Sequence, residues 1–94
     1  MSMETIVLPQ TLDLTAVGAL RDDVRARRGK PIEFDASQVQ RVGGLCLQVL
    51  IAAKRDWAAA GVEARFGARS AEFDEAVRLL GAGPFLGLAQ TTEI

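Results

Sequence analysis

Few residues in this 94-residue chain could do chemistry: one cysteine, Cys46; two acids that follow apolar runs, Asp13 and Asp35; the pair Gly43-Gly44; and one tryptophan, Trp57. A thiol in the first turn of a helix becomes a nucleophile when the helix dipole lowers its pKa and a neighbouring base takes its proton. The chain has no His and no Tyr, so the usual general base, the triad base and the commonest metal ligand are all missing. Cys46 is therefore expected to be a small buried apolar residue. Asp13 and Asp35 would form a carboxylate pair only by meeting at one end of a sheet, and acids so placed ordinarily cap helices and turns. Gly43-Gly44 precede an apolar helix whose first N–H groups could receive an anion, but neither G-x-G-x-x-G nor G-x-x-x-x-G-K-[ST] is present, so the pair reads as a turn into a helix. Gly81-Ala82-Gly83 reads as a helix stop and a turn, and Trp57 as packing. No catalytic, cofactor or metal site is expected.

The frame that must position these residues is one domain over residues 1–94. Eleven Lys+Arg against twelve Asp+Glu leave a net charge of −1, without the basic excess that phosphate neutralisation needs, so nucleic acid is not an expected partner. Apolar residues at 49% and charged residues at 24% are the proportions of a soluble globular domain. Met1 to Leu8 has no basic region followed by an apolar run and is expected to be neither signal peptide nor anchor. The longest apolar stretch, Leu45 to Ala60, is interrupted by Gln48, Lys54, Arg55 and Asp56, so no membrane insertion is expected. A single cysteine forms no internal disulfide, which fits a cytoplasmic location.

Thr5 to Leu8 has the β-branched content of a strand and stops at Pro9. From Asp13 to Arg28, Val17, Leu20 and Val24 recur at helical spacing with charges opposite them, with Asp13 or Thr15 as N-cap and Gly29 as stop. The basic cluster Arg27, Arg28 and Lys30 at that helix's end suits its dipole. Ile32 to Ala36 alternates as a strand with one buried face. Ser37 to Gly43 is expected to be a connection. An apolar helix runs from Gly44 to the stop at Gly61, with Leu45, Val49, Leu50, Ile51, Ala53 and Trp57 as its apolar positions. Val62 to Phe66 alternates as a third strand, and Ser70 caps a helix with Phe73, Ala76, Val77 and Leu80 as its apolar stripe. Beyond Gly81, Phe85, Leu86 and Leu88 could form a last strand or a packed tail. The order βαβαβα predicts an α/β fold with a mostly parallel or mixed four-stranded sheet and helices mainly on one face.

The run Ile32-Glu33-Phe34-Asp35-Ala36-Ser37, then Gly44-Leu45, the apolar helix to Gly61 and the strand Val62 to Phe66 resembles the STAS domain, the family of anti-sigma-factor antagonists and sulphate-transporter cytoplasmic domains. Leu12-Asp13 before the first helix and Val77-Arg78-Leu79-Leu80-Gly81 at the end of the last also look like that family, so the likeness spans Thr5 to Leu86. The resemblance implies a protein-binding module. In its kinase-switched members the loop before Gly-Leu carries Asp-Ser-Ser or Asp-Thr-Ala, whose first hydroxyl residue is phosphorylated. Arg41, Val42 and Gly43 stand there in this chain, and no Ser or Thr occurs between Gln38 and Gly61. With only a short segment before Leu12, the chain is expected to lack the extra N-terminal strand that many members have, and so to have an exposed sheet edge.

In the family this loop and the start of the next helix dock onto a GHKL-type kinase. Gly43-Gly44-Leu45-Cys46-Leu47-Gln48 is similar to small STAS proteins of alphaproteobacterial chemotaxis systems, which implies a chemotaxis histidine kinase as partner. Carried over, the contact residues are Gln38, Gln40, Arg41, Val42, Gly43 and Gly44, flanked by Cys46 and Gln48. Val42 would be the apolar anchor and Arg41 the charged hydrogen-bond donor. Two other roles are compatible with the resemblance: an anti-sigma factor antagonist without phosphate control, and the STAS subunit of an ABC-type lipid transporter.

Overall fold

The computed structural model describes residues 3–88; Met1 and Ser2, part of the stretch read as lacking a leader, lie outside them. Three parallel strands form the main sheet in the order β1 (Glu4–Val7), β3 (Ile32–Ala36), β5 (Ala64–Arg69). A separate parallel pair joins β2 (Thr11–Leu12) to β4 (Arg41–Val42). The helices are α1 (Val17–Ala26), α2 (Gly44–Ala59) and α3 (Ala71–Leu79), with short 3-10 turns at Leu14–Ala16 and Gly83–Leu86. No helix among the described residues is long and apolar enough to cross a membrane.

The sheet is two-faced because its strands alternate. Ile6, Phe34 and Phe66 are in register across β1, β3 and β5. With Ile32 and Ala36 they face the helices, in one core with Leu20 and Val24 of α1, Leu50 and Trp57 of α2, and Phe73 and Val77 of α3. The Phe34 and Phe66 rings stack at 5.1 Å, and Phe73 lies 5.5 Å from Phe66, so α3 is joined to the sheet by an aromatic row. On the other face Arg65 pairs with Glu33 and Glu63. These pairs are exposed and add little stability, but they keep this face in water.

The helix ends follow from their glycines. After α2, Gly61 takes φ 71°, its N–H donates to the Ala58 carbonyl, and the Val62 N–H reaches back to the Trp57 carbonyl. This closure satisfies the last carbonyls of the helix and is open to glycine because it lacks a Cβ. Trp57 also donates its indole N–H to the Lys30 carbonyl at 2.6 Å, tying the end of α2 to the turn after α1.

Several expectations are corrected. The four-stranded sheet is instead three strands plus a separate pair. Between the strand and the packed tail left open for the segment after Gly81, the described residues form no strand: Pro84 has no N–H to give a ladder and stands in a 3-10 turn, Gly83–Leu86, closed by Gly87 with φ 71°. The connection Ser37–Gly43 contains β4. The third strand begins at Ala64 because Val62 is used in closing α2, and it continues to Arg69. Helix α1 begins at Val17, after a 3-10 turn. Leu80 is exposed, not part of the core stripe, because α3 ends at Leu79 and the chain turns there.

Candidate functional site

The start of α2 is held by the β2–β4 pair. Thr11 is in register with Arg41 and Leu12 with Val42, and the Gln10 carbonyl accepts both the Gln40 and Arg41 N–H groups, at 2.7 and 3.1 Å. The Gly43 N–H donates to the Leu12 carbonyl at 2.6 Å. A Cβ at position 43 would lie 3.1 Å from that oxygen, so the approach of the two segments favours glycine. Gly43 is the N-cap of α2 and has no side chain to fold back. The first N–H groups of a helix lack intrahelical acceptors, which gives this end of α2 a positive field.

Around this point the acids are used locally. Asp13 accepts from the Thr15 hydroxyl at 2.6 Å and the Thr15 N–H at 3.0 Å. The Thr15 hydroxyl bond is the main reason its carboxyl lies below the usual 3.8. Asp35 is likewise lowered, by Ser37, whose N–H it accepts at 2.9 Å. Each carboxylate serves its own turn, and neither acts on the other.

The expected contact residues divide by depth. Gln38, Gln40, Arg41, Gly44 and Gln48 are exposed, and Gln48 lies one turn along α2 from Gly44. Gln40 also lines an open groove beside α3, with Ala71, Glu72, Glu75, Ala76 and Leu79. Val42 and Gly43 are half-buried, and Val42 packs against the core. Val42 is thus more a core-edge residue than a surface anchor. Cys46 is 1% exposed, and its thiol donates to the Asp13 carbonyl at 3.3 Å. It presents no surface to a partner, which corrects its place among the contacts. Burial pushes the thiol up, and the Asp13 charge adds to the effect. That is opposite to activation by the helix dipole, and no base is present to oppose it. Iodoacetamide is expected to alkylate Cys46 at least about tenfold more slowly in the folded chain than in urea. Equal rates, read by intact-mass spectrometry, would place the thiol at the surface.

Two surface residues escaped the sequence reading. Leu45 is 55% exposed beside Gly44, and Leu14 is 72% exposed beside Asp13. The signal for Leu45 was available: the buried positions Cys46, Leu50, Ala53 and Trp57 recur every three to four residues, and Leu45 falls off that stripe. The surface around the start of α2 thus offers an apolar side chain, a cation at Arg41, amide donors at Gln40 and Gln48, and outward backbone N–H groups. This set suits protein docking.

Residues 3–87 match the family model described as Mlab, STAS domain. No curated protein matches the chain.

Proposed function

The chain belongs to the STAS-domain family, whose members are generally non-enzymatic interaction modules, and from that premise we propose that it acts as one domain docking on a GHKL-type kinase. The partner in this reading is a chemotaxis histidine kinase in the cytoplasm, and the contact is the surface around β4 and the start of α2. The observation that carries the reading is the exposure of Arg41, Gly44, Leu45 and Gln48 in a stretch with no hydroxyl between Gln38 and Gly61. An added phosphate disrupts such a contact by charge and desolvation. Without an acceptor for it, the surface stays competent to dock at all times.

Leu45 takes the role of apolar anchor that Val42 is too buried to fill. Arg41 supplies a charge-assisted hydrogen bond, Gly43 and Gly44 permit close backbone approach, and Gln38, Gln40 and Gln48 form a polar rim. The test is affinity capture of the tagged chain and its Leu45→Glu variant from a lysate of the source cells, with mass spectrometry of what is retained. A GHKL-type kinase held by the wild type and reduced about tenfold or more by the variant supports the reading. Retention of an anti-sigma kinase would assign the antagonist role, and an ABC-type ATPase would assign the transporter role. A kinase captured equally by both chains would remove this surface from the contact.

A further inference from the structure

The sequence contains eleven Lys and Arg residues, and the structure uses them unevenly. Arg27 and Lys30 bind Glu4, Arg65 binds Glu33, Arg69 binds Asp74 and Arg78 binds Glu75. Lys54 donates to the Ala64 carbonyl. Arg21, Arg25, Arg28, Arg41 and Arg55 are exposed and make no ion pair or side-chain hydrogen bond among the described residues. Four of these five lie on the outer surface of α1 and α2 and the turn after α1.

Their placement is ordered. Arg21 and Arg25 stand at i and i+4 on one flank of α1, and Arg28 follows in the turn after the helix, which ends at Ala26. The opposite flank, Ala19 and Asp23, lines a cavity against β1, so the arginine flank is the one turned toward α2. Arg28 accordingly lines a cleft with Asp56, Ala59 and Ala60. Arg55 projects from α2 seven residues after Gln48, on the same face of the helix. The acids on this surface are Asp22 and Asp56, both exposed, while Asp23 is taken by Arg27. Four arginines against two aspartates leave a net positive face on a chain whose total charge is −1. The acids Glu72, Asp74 and Glu75 lie instead on α3.

Like charges at helical spacing repel, and among the described residues no carboxylate pairs with these arginines. We propose that the outer face of α1 and α2 docks an acidic amphipathic helix of a protein partner, with Arg21, Arg25, Arg28 and Arg55 meeting its carboxylates. The i, i+4 pair Arg21 and Arg25 matches the repeat of another helix, Arg28 and Arg55 extend the row beyond it, and arginine forks bind carboxylates in a defined geometry. A polyphosphate backbone is the poorer fit, since Asp22 and Asp56 stand among the arginines. A lipid surface needs a second, apolar signal, and the outward positions interleaved with these arginines are Asp22, Ala26 and Asp56. Along α2, Arg55 stands about two turns beyond Gln48, the last residue of the surface at β4, and the proposal does not depend on the kinase reading.

The test uses the full chain and a labelled synthetic helical peptide with Glu at i, i+4, i+7 and i+11, beside a twin with Gln at those positions. The Glu peptide should bind saturably at about 50 mM salt, at least tenfold more tightly than its twin, and weaken steeply as salt rises. Arg25→Glu with Arg55→Glu should weaken that binding about tenfold or more. Glu72→Lys, on α3, and Leu45→Glu, at the other surface, should leave it unchanged. Both arginines are exposed, and an unaltered circular dichroism spectrum checks that the double variant is folded. Equal binding of the two peptides, no binding, or an unaffected double variant would overturn the proposal. So would retention on phosphatidylserine vesicles in place of the peptide, which would assign the face to an anionic membrane.

Discussion

Val42→Asp is expected to lower the stability of the chain by about 1–3 kcal/mol near neutral pH. Val42 packs against the core and pairs with Leu12, whose side chain is fully buried. A carboxylate there loses part of its hydration and finds no cation in the strand pair except Arg41, whose side chain is exposed. Desolvation raises the folded-state pKa of such a carboxyl above its unfolded value. The destabilisation is therefore greatest above the folded pKa and eases as pH falls through it and the group takes up a proton. Urea unfolding of the wild type, Val42→Asp and Val42→Thr at about pH 7 and pH 4.5 reads both effects. A midpoint for Val42→Asp equal to that of the wild type at both pH values would show that position 42 is a free surface. The result also decides how binding data are read. A partner lost by Val42→Asp reports the fold as much as the contact, whereas Leu45→Glu alters an exposed side chain.

Phe34→Ala is expected to cost about 3–5 kcal/mol. Phe34 is fully buried on the central strand, between Ile6 and Phe66 in register, and its ring stacks on Phe66 at 5.1 Å. Truncation opens a cavity where all three strands meet the helices, and the rigid strand pairing limits how far the core can close over it. It also removes the first ring of the row that reaches α3 through Phe73. A domain of this size has a total stability of roughly 5–14 kcal/mol, so the loss is a large fraction of the whole. Phe34→Leu should be clearly milder, since it keeps most of the buried volume. A loss under about 1 kcal/mol in urea unfolding would mean that the core is not centred on this ring.

Where residue type alone fixed the outcome, the sequence was enough to read it. The alternation Ile32-Glu33-Phe34-Asp35 gave a strand with one wet face, because side chains on a strand point alternately to its two sides. Gly61 and Gly81 gave the ends of α2 and α3, because each takes a positive φ that a Cβ disfavours. Ser70 gave the start of α3, and its hydroxyl accepts the Phe73 N–H at 3.0 Å. Asp13 and Cys46 were legible as a cap and a buried thiol.

The surface around α2 was legible only in part. Gln38, Gln40, Arg41 and Gln48, carried over from the family resemblance, are exposed, as their polarity favours. The apolar member of this surface was not legible, because an apolar residue next to a buried helix stripe is assigned inside or outside only by the phase of that helix against the sheet. Val42 and Leu45 differ in depth for this reason: β4 draws Val42 onto Leu12, and α2 turns Leu45 outward.

By itself, then, the sequence determined an α/β chain of alternating strands and helices, the helix ends, the central core residues and the absence of a phosphoacceptor in the loop. These are properties of residue types and short spacings. Only the tertiary structure decided, among the described residues, that the sheet has three strands and a separate pair, which apolar residues face out, and which arginines are left without partners. Those depend on contacts between segments far apart in the chain, Thr11-Leu12 with Arg41-Val42 and Glu4 with Arg27 and Lys30, and local propensity does not encode such pairings.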